Sequence, residues 1–461
     1  MISFNKLTSI LITFVILSSI TVTSCGGNKV NIKDRSHLVY SQITKKVCSA
    51  DTSQSYEVYL PNGYTDQQKW PVIYVFDPHG DGKFAVEHFK YAAEKYGYMV
   101  LGSNNSKNGL QTLEHTLEVL INDAPKSYSI DPNRQYSGGF SGGGRVAVMM
   151  ATKYNNKGII TCGAGMSGFD PQSAPSKFDI FAIAGREDFN YDEVMAIQQQ
   201  FANTDWRYIT AAFDGGHNWP SPYLLSKALL WFELNAMKDG LISKDKDLET
   251  QTLDSIKLST DEYIKKGQFL KATDELKMGI SFIDRLLGTK KLENKLNDLQ
   301  SQDGYINEIQ KVEQLKLMEQ QLRNEYMQGF NTQNLDWWNS ELVTLSDKIK
   351  TSNDLFTRQM YSRIKGFLGI VCYSFTSKAI AESNIDLANK CVAIYQKVEP
   401  QNPDCFFYKA ILLDKNNRSK EAVDTFKKAV SLGFKDMAKV KPSFSKKTIL
   451  LLESSSIEKK H

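Results

Sequence analysis

The stretch that decides the fold is Tyr136-Ser137-Gly138-Gly139-Phe140-Ser141-Gly142-Gly143-Gly144-Arg145. Gly139, Ser141 and Gly143 form a Gly-x-Ser-x-Gly pattern. Gln135 to Ser137 reads as a strand leading in, and Val146 to Thr152 as an apolar helix leading out. A serine on so sharp a strand-to-helix turn takes up a strained backbone. Small neighbours are needed because side chains there would clash with the turn. The helix that follows aims its unpaired N–H groups at the place where negative charge would develop on a reacting group. Ser141 is therefore the candidate nucleophile, and Gly142, the next residue, supplies a candidate N–H for an oxyanion.

A hydroxyl is a poor nucleophile until a base takes its proton. The chain has six histidines: His37, His79, His88, His115, His217 and His461. On a nucleophile elbow the partners follow in the order serine, acid, histidine. Only His217 and His461 come after Ser141, and His461 ends a Lys-rich tail. His217 lies in Phe213-Asp214-Gly215-Gly216-His217-Asn218-Trp219-Pro220, a loop after the strand-like Tyr208 to Phe213. It is the candidate base. The acid is expected between them, after a strand. Ile180 to Gly185 is such a strand, and Arg186-Glu187-Asp188 follows it. Asp188 is the first choice for holding the imidazole tautomer. Glu187 stays open beside it, with Asp192 and Asp214 as weaker alternatives.

A second oxyanion donor is expected from the loop Phe76-Asp77-Pro78-His79-Gly80-Asp81-Gly82, which follows an apolar strand. The N–H of Asp81, or that of Gly80, fits the place. His79 reads as a hydrogen-bonding residue beside the substrate rather than a second base. Trp219 is a candidate platform for a sugar or aromatic ring, with structural packing as the equal alternative.

Outward from the elbow, residues 37–240 alternate strand-like and helix-like segments. Tyr56 to Leu60 alternates at period two and stops at Pro61-Asn62-Gly63. Val72 to Phe76, Tyr98 to Ser103, Ile159 to Cys162 and Ile180 to Gly185 are short, nearly continuous apolar runs of the kind buried on both faces of a parallel sheet. Helical spacing fills Ala85 to Tyr96, Leu110 to Ala124 and Gly143 to Lys153. Strands alternating with helices imply βαβ units.

At this point the chain resembles the compact esterases of the α/β-hydrolase superfamily. It is most similar to the secreted esterases related to polyhydroxyalkanoate depolymerases and feruloyl esterases. The resemblance spans about Ser55 to Leu234. It is carried by Leu60-Pro61-Asn62-Gly63-Tyr64, His79-Gly80, Ile130-Asp131-Pro132-Asn133-Arg134, Gly139 to Gly143, Gly185 with Asp188, and Gly216-His217 with Trp219. It implies an α/β-hydrolase domain with a mostly parallel central sheet, and hydrolysis of an ester through an acyl-enzyme without a cofactor. Serine, histidine and acid do not separate esters from amides, so a serine peptidase or other acyl hydrolase stays open, as does a non-catalytic binding lipoprotein that uses its helical repeats. The chain departs from the family where a His-Gly-Gly-Gly run would stand at the oxyanion loop. Only about thirty-five residues separate the nucleophile helix from Asp188, much of that span strand, too few for a lid domain. An open site suited to an ester displayed on a polymer or glycan is the expectation.

Beyond Gly240 the strand-like runs stop. Lys, Glu, Gln and Leu recur at helical spacing. Residues 245–355 read as long amphipathic helices, Glu308 to Tyr326 among them. Residues 356–445 carry a 34-residue register that pairs Thr376 with Ala410, Ala388 with Ala422, Val392 with Phe426 and Pro400 with Phe434. That spacing resembles the tetratricopeptide repeat, so an all-α tetratricopeptide-like domain is expected, with a surface for a protein partner and no chemistry of its own. A looser copy runs from Tyr263 to Ala272. Trp337-Trp338 reads as core. Residues 446–461 form a tail.

The N-terminus reads as a leader. Lys6 precedes an apolar run from Leu7 to Val22, then Val22-Thr23-Ser24-Cys25. An aliphatic residue and two small residues before cysteine resemble the lipobox of bacterial lipoproteins. That implies a signal peptide over 1–24, a lipid on Cys25, a tether over 25–36, and a place at the cell-envelope membrane. The other five cysteines contain no Cys-x-x-Cys pair, so no zinc site or other metal is suggested, and burial as small apolar residues is the safer reading. With 461 residues the chain is too long for one ordinary core, and a net charge of +4 gives no electrostatic reason to expect nucleic acid.

Overall fold

The computed structural model describes residues 41–457. Cys25, the leader and the tether lie outside them. The chain divides into two units, Met1–Leu38 and Val39–His461, and the described residues all belong to the second.

Eight strands form one sheet: β1 (Ile43–Val47), β2 (Ser55–Tyr59), β3 (Trp70–Phe76), β4 (Met99–Ser103), β5 (Ile130–Phe140), β6 (Gly158–Cys162), β7 (Asp179–Gly185) and β8 (Tyr208–Phe213). Six helices follow the same stretch of chain: α1 (Gly82–Tyr96), α2 (Leu113–Ser127), α3 (Gly142–Tyr154), α4 (Tyr191–Met195), α5 (Ile197–Phe201) and α6 (Pro222–Lys238). The sheet order is β1-β2-β4-β3-β5-β6-β7-β8. β1 and β2 run antiparallel at one edge, and β4 through β8 are parallel with β3 among them. This is the α/β-hydrolase architecture expected from the elbow. Every residue of β4, β6 and β7 is buried, as strands covered by helices on both faces require. β1 was not anticipated. Its sequence, Ile-Thr-Lys-Lys-Val, is a half-exposed edge, and charged edge strands carry a weak hydrophobic signal.

The rest is helical: α7 (Lys246–Lys265), α8 (Phe269–Ile283), α9 (Lys290–Gln300), α10 (Asp303–Thr332), α11 (Leu335–Thr351), α12 (Leu355–Ala381), α13 (Ile385–Val398), α14 (Pro403–Lys415), α15 (Ser419–Ser431), α16 (Val440–Ser443) and α17 (Lys446–Ile457). Asp and Asn start several of them. The side chains of Asp245, Asn334, Asp354, Asn384 and Asn402 each accept from a backbone N–H of the first turn. Among the described residues no helix is long and apolar enough to cross a membrane.

Gly240 ends the α/β stretch in the left-handed conformation, but the core does not end there. Ile256 of α7, Ala272, Leu276 and Phe282 of α8, and Leu299 of α9 join Trp231 and Phe232 of α6 and the strand side chains in one apolar cluster. A second cluster starts at Leu315 and runs to Phe444. The expected division at 355/356 falls inside this second core, because Phe330 of α10 meets Phe375 of α12 edge-on at 5.1 Å. Tyr326 and Phe330 also pack on Trp338 of α11, whose indole N–H donates to the Gly329 carbonyl at 3.3 Å. Trp338 is fully buried. Of the eight residues of the 34-residue register, Thr376, Ala388, Val392, Ala410, Ala422, Phe426 and Phe434 are buried, and Pro400 is exposed. Cys48, Cys162, Cys372, Cys391 and Cys405 are buried and unpaired.

Candidate active site

Ser141 sits between β5 and α3 with φ 52° and ψ −121°, a conformation costly for a residue with a Cβ. The turn is fixed on both sides. The Ser141 N–H donates to the Cys162 carbonyl at 2.7 Å. A Cβ on Gly143 would lie 2.1 Å from the Phe76 carbonyl oxygen, so only glycine lets α3 start this close to β3.

The three residues chosen from the sequence meet. His217 Nε2 lies 2.9 Å from Ser141 Oγ, and His217 Nδ1 lies 2.9 Å from both Asp188 Oδ1 and Oδ2. The Asp188 side chain is wholly buried, whereas that of His217 is 21% exposed. Asp188 is tied in place. Its Oδ1 accepts from the Asn190 N–H at 2.8 Å, and the Asn190 side chain donates to the Gly163 carbonyl at 2.8 Å. The acid and base loops are also joined directly, Arg186 N–H to Phe213 O and Glu187 N–H to Gly215 O, both at 2.8 Å. The His217 ring rests against Phe140 and Phe189, with centroids 4.6 Å and 4.3 Å away. The alternatives for the acid are engaged differently. Asp214 pairs with Lys271 at 2.6 Å, Asp192 lines a cavity with Gln198, Thr210 and Lys316, and Glu187 is half-exposed with no hydrogen bond to His217 among the described residues.

The oxyanion loop is more constrained than the sequence suggested. The Gly80 N–H is already donated to the Asp77 carbonyl at 3.0 Å, which removes it as a donor. The His79 N–H is donated to Asp77 Oδ1 at 2.8 Å. Pro78 has none. The Asp81 side chain caps α1, accepting from the Phe84 N–H at 3.0 Å, and its own N–H is not spent within the loop. Asn108 was missed in the sequence. A Cβ on Gly142 would meet Asn108 Oδ1 at 1.7 Å, so this amide forms a wall beside Gly142, the candidate first donor. Nothing in the local sequence marks Asn108. It is delivered by a loop held through its N–H to the Pro78 carbonyl at 2.8 Å.

His79 and Trp219 share one carboxylate. Asp77 is buried. Burial pushes its carboxyl up, but hydrogen bonds from His79 and from the Trp219 indole (3.4 Å) outweigh this and hold it below its ordinary value. The His79 ring, 80% exposed, stands 3.3 Å from Asp77. That hydrogen bond raises its pKa against opposing desolvation. The charges of Asp404 and Lys435 in the helical part also act on it. Trp219 stacks on His88 at 4.9 Å, leans on Phe140 at 5.6 Å and meets Phe89 edge-on. These contacts favour packing over a platform for a ligand. Trp219 supports Phe140, the residue before the serine.

No protein-family model matches the chain and no curated protein matches it. Among solved structures it is similar to FphF, a fluorophosphonate-binding serine hydrolase of Staphylococcus aureus in substrate-bound form, at 13% identity and TM-score 0.32, covering 39% of this chain and 92% of that one. It is similar to an S-formylglutathione hydrolase from Agrobacterium tumefaciens at 15% identity and TM-score 0.32, covering 41% and 93%. A ferulic acid esterase gives 15% identity and TM-score 0.31, covering 41% and 94%.

Proposed function

We propose that the chain is a serine hydrolase that cleaves carboxylic esters through an acyl-enzyme. The observation that carries this reading is the unbroken hydrogen-bonded line from buried Asp188 through His217 to a serine held at positive φ. Ser141 Oγ attacks the ester carbonyl while its proton passes to His217 Nε2. The oxyanion is met by the Gly142 N–H, with the Asp81 N–H as the second donor. His217 then returns the proton to the departing alcohol oxygen as the C–O bond breaks. Water repeats the sequence on the acyl-enzyme. Asp188 keeps the proton on Nδ1 and stabilises the imidazolium.

The short connection between α3 and β7 carries no lid, and the serine is part-exposed, which suits an ester carried on a polymer or glycan. Cys25 as a lipid anchor in the cell envelope, and the tetratricopeptide-like helices as a partner surface, complete the proposal. The test is labelling by a fluorophosphonate probe in wild-type and Ser141→Ala protein, with p-nitrophenyl acetate and butyrate and a p-nitroanilide as substrates. Labelling lost in the variant, with esters turned over faster than the anilide, supports an esterase. A well-folded wild-type protein that takes no label and cleaves neither class sinks it.

A further inference from the structure

The loop that carries Asp188 is gripped from outside the α/β sheet. The Arg186 carbonyl, two residues before the acid, accepts from Arg363 Nη1 of α12 at 2.7 Å. The Phe189 carbonyl, one residue after it, accepts from Arg323 Nη2 of α10 at 3.1 Å. Both arginines are held by one carboxylate. Glu319 Oε1 takes Arg323 at 2.6 and 3.1 Å, and Glu319 Oε2 takes Arg363 at 2.6 and 2.9 Å. Glu319 is wholly buried and the Arg363 side chain is 10% exposed. The Arg363 guanidinium lies over the Tyr191 ring at 5.1 Å, and that of Arg323 over Phe367 at 4.9 Å.

Two buried charges and a part-buried third are an expensive way to join two parts of a protein. Apolar residues of similar volume often hold such a seam as well or better. What apolar residues lack is direction. A guanidinium presents donors in a fixed planar fork, so one edge can meet Glu319 while another donor meets a backbone carbonyl. The output of this cluster is two aimed hydrogen bonds that bracket Asp188. The loop has need of them. Beside it lies a cavity of about 300 Å³ lined by Arg186, Tyr191, Gln359 and Arg363, so packing alone does not fix its outer flank. One turn along α12 from Arg363, Gly366 packs against Phe189. A Cβ there would stand 3.3 Å from Phe189 Cδ1, and Phe189 is the ring that rests on His217.

We infer that the helical part is a working component of the active site, in which Arg323 and Arg363, locked by Glu319, are positioning residues that hold the Asp188 loop in register with His217. The inference rests on the serine-hydrolase reading. It gives the helices a second task besides any partner they hold: movement of α10 or α12 reaches the triad through two hydrogen bonds and one aromatic ring.

The experiment is steady-state hydrolysis of p-nitrophenyl acetate, fluorophosphonate inactivation rates and thermal unfolding on full-length wild-type, Arg323→Gln and Gly366→Ala proteins. A misplacement on the order of 1 Å in a reacting group costs about a hundredfold. Arg323→Gln is expected to lower kcat and the inactivation rate by roughly 10- to 100-fold on that scale while KM stays within about threefold. Gly366→Ala separates position from stability. Alanine favours the helix, so the unfolding temperature holds or rises, while the nudge to Phe189 lowers kcat by roughly threefold or more. If Arg323→Gln does not fold, Gly366→Ala decides alone. An active wild type with kcat unchanged in the folded variants overturns this inference and leaves the hydrolase reading intact. An inert wild type overturns both.

Discussion

Replacing Asp188 by asparagine is the sharpest probe of the triad, and the structure dictates how it fails. Asp188 Oδ1 accepts from the Asn190 N–H at 2.8 Å, so the carbonyl oxygen of the new amide must stay at that end. Its NH2 group then takes the place of Oδ2, 2.9 Å from His217 Nδ1. An Nδ1–H would still find the amide oxygen at 2.9 Å but would face the new NH2 at the same distance, donor against donor, so Nδ1 is driven to accept and the ring proton moves to Nε2. That nitrogen is 2.9 Å from Ser141 Oγ and would now offer a proton to the group that must lose one. A wrong tautomer of this kind costs about 10⁴ in kcat, or roughly 5 kcal/mol of barrier at 1.36 kcal/mol per tenfold. The shape of the residue is unchanged and Asn190 keeps its acceptor, so stability should move by about 1 kcal/mol or less. The assay is kcat/KM on p-nitrophenyl acetate beside urea midpoints, with Glu187→Gln and Asp192→Asn as controls expected within about threefold of wild type, since surface substitutions away from such sites change little. A loss under tenfold in a folded Asp188→Asn protein, or an equal loss in Glu187→Gln, would refute the argument.

Other consequences can be checked the same way. Ser141→Gly removes the Cβ from a backbone at φ 52° and should raise unfolding stability by about 1 kcal/mol while abolishing turnover; an unchanged or lower urea midpoint would show that the elbow stores no strain. Burial pushes the Cys48 and Cys391 thiols up to about 11 and Cys405 up to about 12, so these and Cys162 and Cys372 should stay unmodified by iodoacetamide at pH 8 until denaturant is added. Peptide mapping reads this directly, and rapid alkylation of any of the five in native protein would count against their placement. His79 has a folded pKa above its ordinary value. Its contribution is therefore complete below about pH 6.5 and is lost as pH rises through the raised folded value. For so exposed a ring the effect is under about 1 kcal/mol. Urea midpoints should fall between pH 5.5 and 8.5 by more in wild type than in His79→Gln, and equal falls would remove the Asp77–His79 pair from the stability of the loop.

The meeting of Ser141, His217 and Asp188 was legible because the signals for it are written locally. Ser141 has its glycines within two residues, and His217 and Asp188 each follow an apolar strand in an order the elbow imposes. The choice between Asp188 and Glu187 was open in the sequence. It is closed by the turn, which spends the Glu187 N–H on Gly215 and turns the next side chain inward. The Gly80 expectation failed for a similar reason, since a glycine that allows a tight turn commits its own N–H to that turn. Asn108 and the Glu319 clamp left no mark at all. Arg363 meets Arg186 across 177 residues of sequence, and charged residues on amphipathic helices look alike whether they face water or a buried carboxylate. The boundary near Gly240 was visible as a change of period, but period reports secondary structure and not which helices share a core.

That shared core has a consequence for how the chain can be handled by evolution and by the cell. α6 is pinned from beyond the boundary, with Lys238 donating to the Ser281 carbonyl at 2.7 Å, Lys227 paired with Glu275 at 2.8 Å, and the Trp231 indole donating to Ser281 at 3.3 Å. A chain released after Gly240 would present the flank that α8 covers, a greasy surface for chaperones and proteases to find. The two halves are therefore not interchangeable cassettes. Recombination that swapped the helical half of one such protein onto another would have to carry a matched α6, and heating should melt the sheet and helices α7 to α9 in a single calorimetric transition.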